Sequence, residues 1–306
     1  MKFNIFFIFP LFLILLSACE QVIDIKLPPH DPRLVVYSNI VEGDSSLVVW
    51  VGYTVGILDT TNLSGWSWFE EDSMKFSESA WVPNATVKIF ENDVLLAELQ
   101  PNSNLRVYQI ALSSPLSASG KTYDLEVSAA GYPVATAKFV FPRAPEISNL
   151  RYEPLVSRDL IGNPMDRISF SIEDPIGLGD SYSFLTLVGF YDSFEQKWYE
   201  FNGYIMSNDP QLEDSYPNLV FTDVNNDGQT YPVQLLCYPI DTSNAGYGRL
   251  IVDAISKVEY FYIKSYQSYS NAVGNPFAEP VILYTNIENG RGLFIGRHRK
   301  KFNIVN

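Results

Sequence analysis

Thr86-Val87-Lys88-Ile89-Phe90-Glu91-Asn92-Asp93-Val94-Leu95-Leu96-Ala97-Glu98-Leu99 decides the fold. Residues 86–91 and 94–99 are short runs of aliphatic, β-branched and aromatic residues, and Asn92-Asp93 joins them in a two-residue connection that tolerates positive φ. This is a β-hairpin. The same pattern extends to both sides, with strands expected at 34–39, 47–53, 106–112, 122–129 and 134–141. Ser119-Gly120 and Gly131-Tyr132 mark turns, and Pro142 and Pro145 close the series. Strands this short and this regularly spaced predict an Ig-like β-sandwich over 34–143.

A second β-rich domain is expected over 144–306, with strands at 147–152, 167–173, 182–190, 219–223, 231–238, 249–255, 281–285 and 292–296. Asn289-Gly290 would turn the chain between the last two. The helix of this block is placed near 257–272. Ser256 and Glu259 form a capping box in which each side chain satisfies an orphan backbone donor. Val258, Phe261, Tyr262, Tyr266 and Tyr269 recur at helical spacing. The stripe is expected to pack as core against a sheet, with a ligand platform as the competing reading. The predicted class is mainly β: a sandwich followed by an α+β domain with one amphipathic helix.

Sparse charged residues and abundant Tyr and Phe suit sheets cut by turns, not bundles or disorder. The formal charge of −14 repels phosphate backbones, so no nucleic-acid partner is expected. Lys2 precedes an apolar run over 5–16, interrupted only by Pro10, and Leu16-Ser17-Ala18-Cys19 follows. The run is too short to span a bilayer, which takes about 20 apolar residues. It reads as a signal peptide over 1–18 ending in a lipobox-like site, with Cys19 diacylated and inserted in the membrane. Residues 19–33, with Pro28, Pro29 and Pro32, form a tether. Acylation of Cys19 leaves Cys237, whose apolar setting predicts a buried, inert thiol.

Asp223-Val224-Asn225-Asn226-Asp227-Gly228 matches the first half of a calcium loop, D-x-N-x-D-G. Gln234 stands where the loop's final bidentate acid belongs, so a hairpin turn is the preferred reading. Asp223, Asn225 and Asp227 remain the alternative metal ligands. Trp66, Trp68, Phe69 and Trp81 surround an acidic run in one long segment. They form either a recognition loop for sugar, peptide or protein, or a flap burying its own rings. Arg297-His298-Arg299-Lys300-Lys301 reads as a solvated basic tail. His30 lies in the tether and His298 in that tail, and no nucleophile elbow, P-loop or zincin motif occurs. The sequence therefore predicts a non-enzymatic protein without a cofactor.

Several segments carry a family resemblance. Asn275-Pro276-Phe277-Ala278-Glu279-Pro280-Val281, then Asn286-Ile287-Glu288-Asn289-Gly290 and Gly292-Leu293-Phe294, resemble a family of Bacteroidota lipoproteins catalogued as domain of unknown function 4249. Cys19 to Ile25 followed by Leu34-Val35-Val36, Val82 to Val87, Gly120-Lys121-Thr122-Tyr123 and Ala130-Gly131-Tyr132 are similar to the same family. The resemblance implies an outer-membrane lipoprotein, anchored through Cys19 and partnering a TonB-dependent receptor in ligand capture or uptake. The alternative is a free-standing surface binder of glycan or peptide. The cell-surface and periplasmic faces both stay open.

Overall fold

Alternation of buried and half-buried residues builds the first strands of the computed structural model. The structure describes residues 31–54, 80–118, 120–215, 217–240, 246–272, 275, 278–279 and 281–305. The signal segment, Cys19, most of the tether, and Trp66, Trp68 and Phe69 lie outside the described residues. Strands β1 (Leu34–Val41), β2 (Ser46–Tyr53), β3 (Thr86–Glu91), β4 (Val94–Asn102), β5 (Val107–Ala111), β6 (Thr122–Ser128) and β7 (Ala135–Val140) follow the predicted order. At the β3–β4 connection Asn92 and Asp93 both hold positive φ, 50° and 65°, as a primed hairpin turn requires.

The second half contributes β8 (Glu146–Arg158), β9 (Pro164–Glu173), β10 (Ser181–Asp192), β11 (Lys197–Gly203), β12 (Ile205–Met206), β13 (Glu213–Ser215), β14 (Asn218–Thr222), β15 (Thr230–Cys237) and β16 (Tyr247–Ile255). Helix α1 (Lys257–Ala272) and the long β17 (Arg291–Val305) complete it. The fold is mainly β and sandwich-like, as the sequence predicts, with two sheets and one α-helix among the described residues. One sheet runs β13-β14-β10-β16-β17-β1-β2-β5-β4-β3-β6-β7, with β11 on β10; the other runs β12-β15-β9-β8.

Strand β17 is the spine. Its first half pairs in parallel with β1, from Val35↔Arg291 to Val41↔Arg297. Its second half pairs antiparallel with β16, from Ala254↔His298 to Gly248↔Val305. At about 3.3 Å per residue it is long enough to serve two cores. Phe294 lies in the first core with Val36, Tyr108, Tyr123 and Phe139, while Phe302 and Ile304 pack on the second. The Phe139 and Phe294 ring centroids are 4.7 Å apart, closing the first sandwich. Phe170 and Phe184, 5.5 Å apart, bridge the two sheets of the second. The described residues from Pro32 onward thus form one compact unit.

The family-like segments serve this packing. Fully buried Tyr108 donates its hydroxyl to the Val82 carbonyl and accepts the Ala85 N–H, both at 2.7 Å, pinning the 82–85 turn. Asn286 donates its side-chain amide to the Phe294 carbonyl at 2.7 Å and accepts the Phe294 N–H at 3.0 Å. A side chain therefore imitates a ladder partner on β17.

Three expectations need correction. Residues 281–285 form no strand; the Tyr284 N–H goes instead to Ser265 Oγ on α1 at 2.9 Å. Asn289 has positive φ but Gly290 does not, so Asn289-Gly290 is not the type I′ turn, which takes positive φ at both central residues. The basic run 297–301 is not a tail: it lies within β17, where Arg297 and Arg299 find partners on α1 and β16, and His298 faces Glu42 just past β1.

Candidate functional site

Helix α1 begins as its sequence dictates, with Ser256 Oγ accepting the Glu259 N–H at 3.2 Å. The other half of the capping box is not made. The Glu259 carboxylate turns toward β17, where its Oε1 accepts from Arg297 Nε at 2.7 Å and from Arg297 Nη2. Arg297 also donates to Asp253 Oδ2 at 3.3 Å, and Arg299 grips the same Asp253 through Nε and Nη2 at 2.8 and 2.9 Å. Two cations thus meet two carboxylates where β17 changes partner. Burial pushes the Glu259 carboxyl above its usual range, with Arg297 opposing it. Burial also works against the Arg297 charge, but Glu259 and Asp253 outweigh it and raise its pKa. His298 Nε2 lies 2.7 Å from Glu42 Oε2.

Because Glu259 is the buried residue of α1, the aromatic stripe is not core; this corrects the core expectation. Phe261 and Tyr269 are exposed, and Val258, Tyr262 and Tyr266 are half-buried. The helix is held by an ion cluster, and of its stripe Phe261 and Tyr269 are left exposed on the surface.

A larger aromatic surface rises on the β10–β11 hairpin. Asp192 Oδ1 accepts the Phe194 and Glu195 N–H groups at 2.8 and 3.0 Å, and Gln196 takes positive φ to close the turn. Tyr191, Trp198 and Tyr247 form a shelf with successive ring centroids 5.5 Å apart. The Tyr247 ring lies over Gly189, where a Cβ would collide with it. Glu200 accepts from the Tyr247 hydroxyl at 2.7 Å and Arg249 Nη1 at 3.3 Å at the shelf's rim. On the opposite face Phe190 stacks on Tyr199 at 5.6 Å and meets Phe201 edge-on at 6.1 Å. Trp198 and Phe201 are each 50 % exposed, and Phe194 at the tip is 95 % exposed. Among the described residues β11 pairs with β10 alone. The sequence reading missed β11, although Lys197-Trp198-Tyr199-Glu200-Phe201-Asn202 carries the mixed aromatic and polar signal of an edge strand.

The remaining predicted residues are separately placed. Trp81 bridges to Gly52 and packs with Trp50, Val107, Val35 and Tyr37. Cys237 is buried, its thiol pushed up to about 12 by burial and the nearby Asp166 carboxylate. Asp223 and Asp227 come together with Asp174, which the spacing of residues 223–228 does not reveal; Asn225 is exposed in the 3₁₀ turn Asp223–Asn225. No described helix is long and apolar enough to cross a membrane.

No curated protein matches the sequence. Among solved structures, the chain is similar to a mutant Salmonella alpha-2-macroglobulin at 10 % identity and a TM-score of 0.24, covering 92 % of this chain and 15 % of that one. That likeness is too low to carry an argument, and the chain spans a small part of that protein's length. The family comparison is broader. A model described as "Domain of unknown function (DUF4249)" matches residues 20–302, and the chain belongs to this family.

Proposed function

We propose that this protein is a non-catalytic, lipid-anchored outer-membrane protein that docks on a TonB-dependent receptor and assists ligand capture or uptake. The observation that carries the reading is the β10–β11 hairpin, an edge with exposed rings on both faces. Edge strands of free-standing proteins are usually short, charged or covered, and large exposed apolar patches mark interaction surfaces. Here Lys197 and Glu200 blunt the edge while Phe190, Phe194, Trp198 and Phe201 remain for a partner. Aromatic residues are the side chains that dominate protein interfaces. The lipobox-like Leu16-Ser17-Ala18-Cys19 supplies the anchor that keeps this surface beside a membrane protein.

The Tyr191–Trp198–Tyr247 shelf, with Glu200 and Arg249 at its rim, favours a second reading as a surface binder of glycan or peptide. Purification of the lipidated protein from its native membrane in mild detergent separates the two. The receptor should accompany the wild-type chain and be lost from the Trp198→Ala/Phe201→Ala variant, with little change in melting temperature. Recovery of the wild-type chain alone contradicts receptor docking.

A further inference from the structure

Asp174 follows β9, and Asp223 and Asp227 sit in the turn between β14 and β15. Each places a carboxylate oxygen within 4.8 Å of the others. Asp174 accepts from the Tyr182 hydroxyl at 2.6 Å and the Gly228 N–H at 2.9 Å. Asp227, which is exposed, accepts the Gly177 N–H at 2.6 Å. Asp223 is 1 % exposed; its Oδ2 accepts the Gly179 and Asp180 N–H groups at 2.8 and 3.1 Å, while Oδ1 has no hydrogen-bond partner.

This arrangement suits a cation. A buried carboxylate oxygen lacking a donor is costly, and three carboxylates this close repel one another. Arg143 lies nearby but is engaged by Asp180 and by the Ile176 and Gly177 carbonyls. The donors are hard oxygens, without the nitrogen or sulfur that zinc prefers. The sequence D-x-N-x-D-G over 223–228 gives the alternate spacing and glycine bend of a calcium loop, with Gly228 at φ 67°. Its missing piece, a closing acid, is supplied by Asp174 from the end of β9 instead of by position 234.

We propose that Asp174, Asp223 and Asp227, with Asn225 at the third loop position, bind Ca²⁺ and tie the 174–180 segment to the 223–228 turn. The cation satisfies Asp223 Oδ1 and neutralises the cluster, independently of any receptor. The test uses the mature, chelator-treated chain, with Tb³⁺ luminescence and thermal melting as readouts. Tyr182, bonded to Asp174, should sensitise bound Tb³⁺, and Ca²⁺ should displace it with a dissociation constant of about 0.1–1 mM, as in extracellular modules. Adding 5 mM Ca²⁺ should raise the melting temperature by several degrees, and the same Mg²⁺ concentration by clearly less. Asp223→Asn should lose binding. The exposed Asp227→Asn, which spares the folded core, should weaken binding at least tenfold, while Asp159→Asn, at a separate turn, should bind as wild type. Absent Tb³⁺ luminescence with a Ca²⁺-independent melting temperature overturns the site. So does unchanged affinity in Asp227→Asn, and an equal response to Mg²⁺ overturns its assignment to calcium.

Discussion

Arg297→Ala should cost about 3–5 kcal/mol of folding stability, the range for removing one partner of a buried ion pair. The loss comes mostly from what is left behind. Glu259 would keep its buried carboxylate without its donor, and its Oε2 already has no hydrogen-bond partner. Asp253 would retain Arg299 but lose Arg297. Urea denaturation should show the full effect, whereas exposed Lys301→Ala should stay within about 0.5 kcal/mol of wild type. A double variant, Arg297→Met with Glu259→Leu, should recover part of the loss, because removing both charges spares their desolvation. Equal, small effects at Arg297 and Lys301 would revive the solvated-tail reading.

Gly292→Ala should be comparably damaging, at about 4 kcal/mol, or should prevent folding. Gly292 holds φ at 108° where β17 meets β1, and a Cβ there would overlap the Val36 carbonyl oxygen. Two costs combine: a side chain in a conformation that favours glycine, about 1–3 kcal/mol, and a backbone collision in the parallel ladder. Gly43→Ala separates them. Its φ is 89° but nothing lies within 4 Å, so it should cost only the conformational part. Chemical denaturation of both variants measures the difference.

These two positions show what the sequence does and does not disclose. The strands around the 86–99 hairpin were legible because alternation and turn chemistry are local, and so were the helix and its Ser256 cap. The fate of Arg297 was not, because its partners Glu259 and Asp253 lie 38 and 44 residues away. A charge run looks alike whether it is solvated or paired inside a sheet. Periodicity likewise found the aromatic face of α1 but not whether anything covers it; the helix is anchored through Glu259 instead. Segment 281–285 looks like a strand in the sequence, yet its Tyr284 N–H bonds Ser265 on the helix. The acidic site was half legible: the spacing of 223–228 is local, whereas Asp174 arrives through the pairing of β9 with β15. The exposed aromatic surface is not legible at β11, and its shelf needs Tyr247 from a strand distant in sequence.

A membrane-anchored protein that engages its receptor through the β10–β11 hairpin is the central claim, and site-specific photo-crosslinking in intact cells tests it most directly. A photoreactive residue at Phe201 should yield one high-mass adduct containing a TonB-dependent receptor. The same residue at Val94, which is 70 % exposed on the first sandwich, should yield none. Adducts of equal yield from both positions, or no receptor adduct from Phe201, would contradict it.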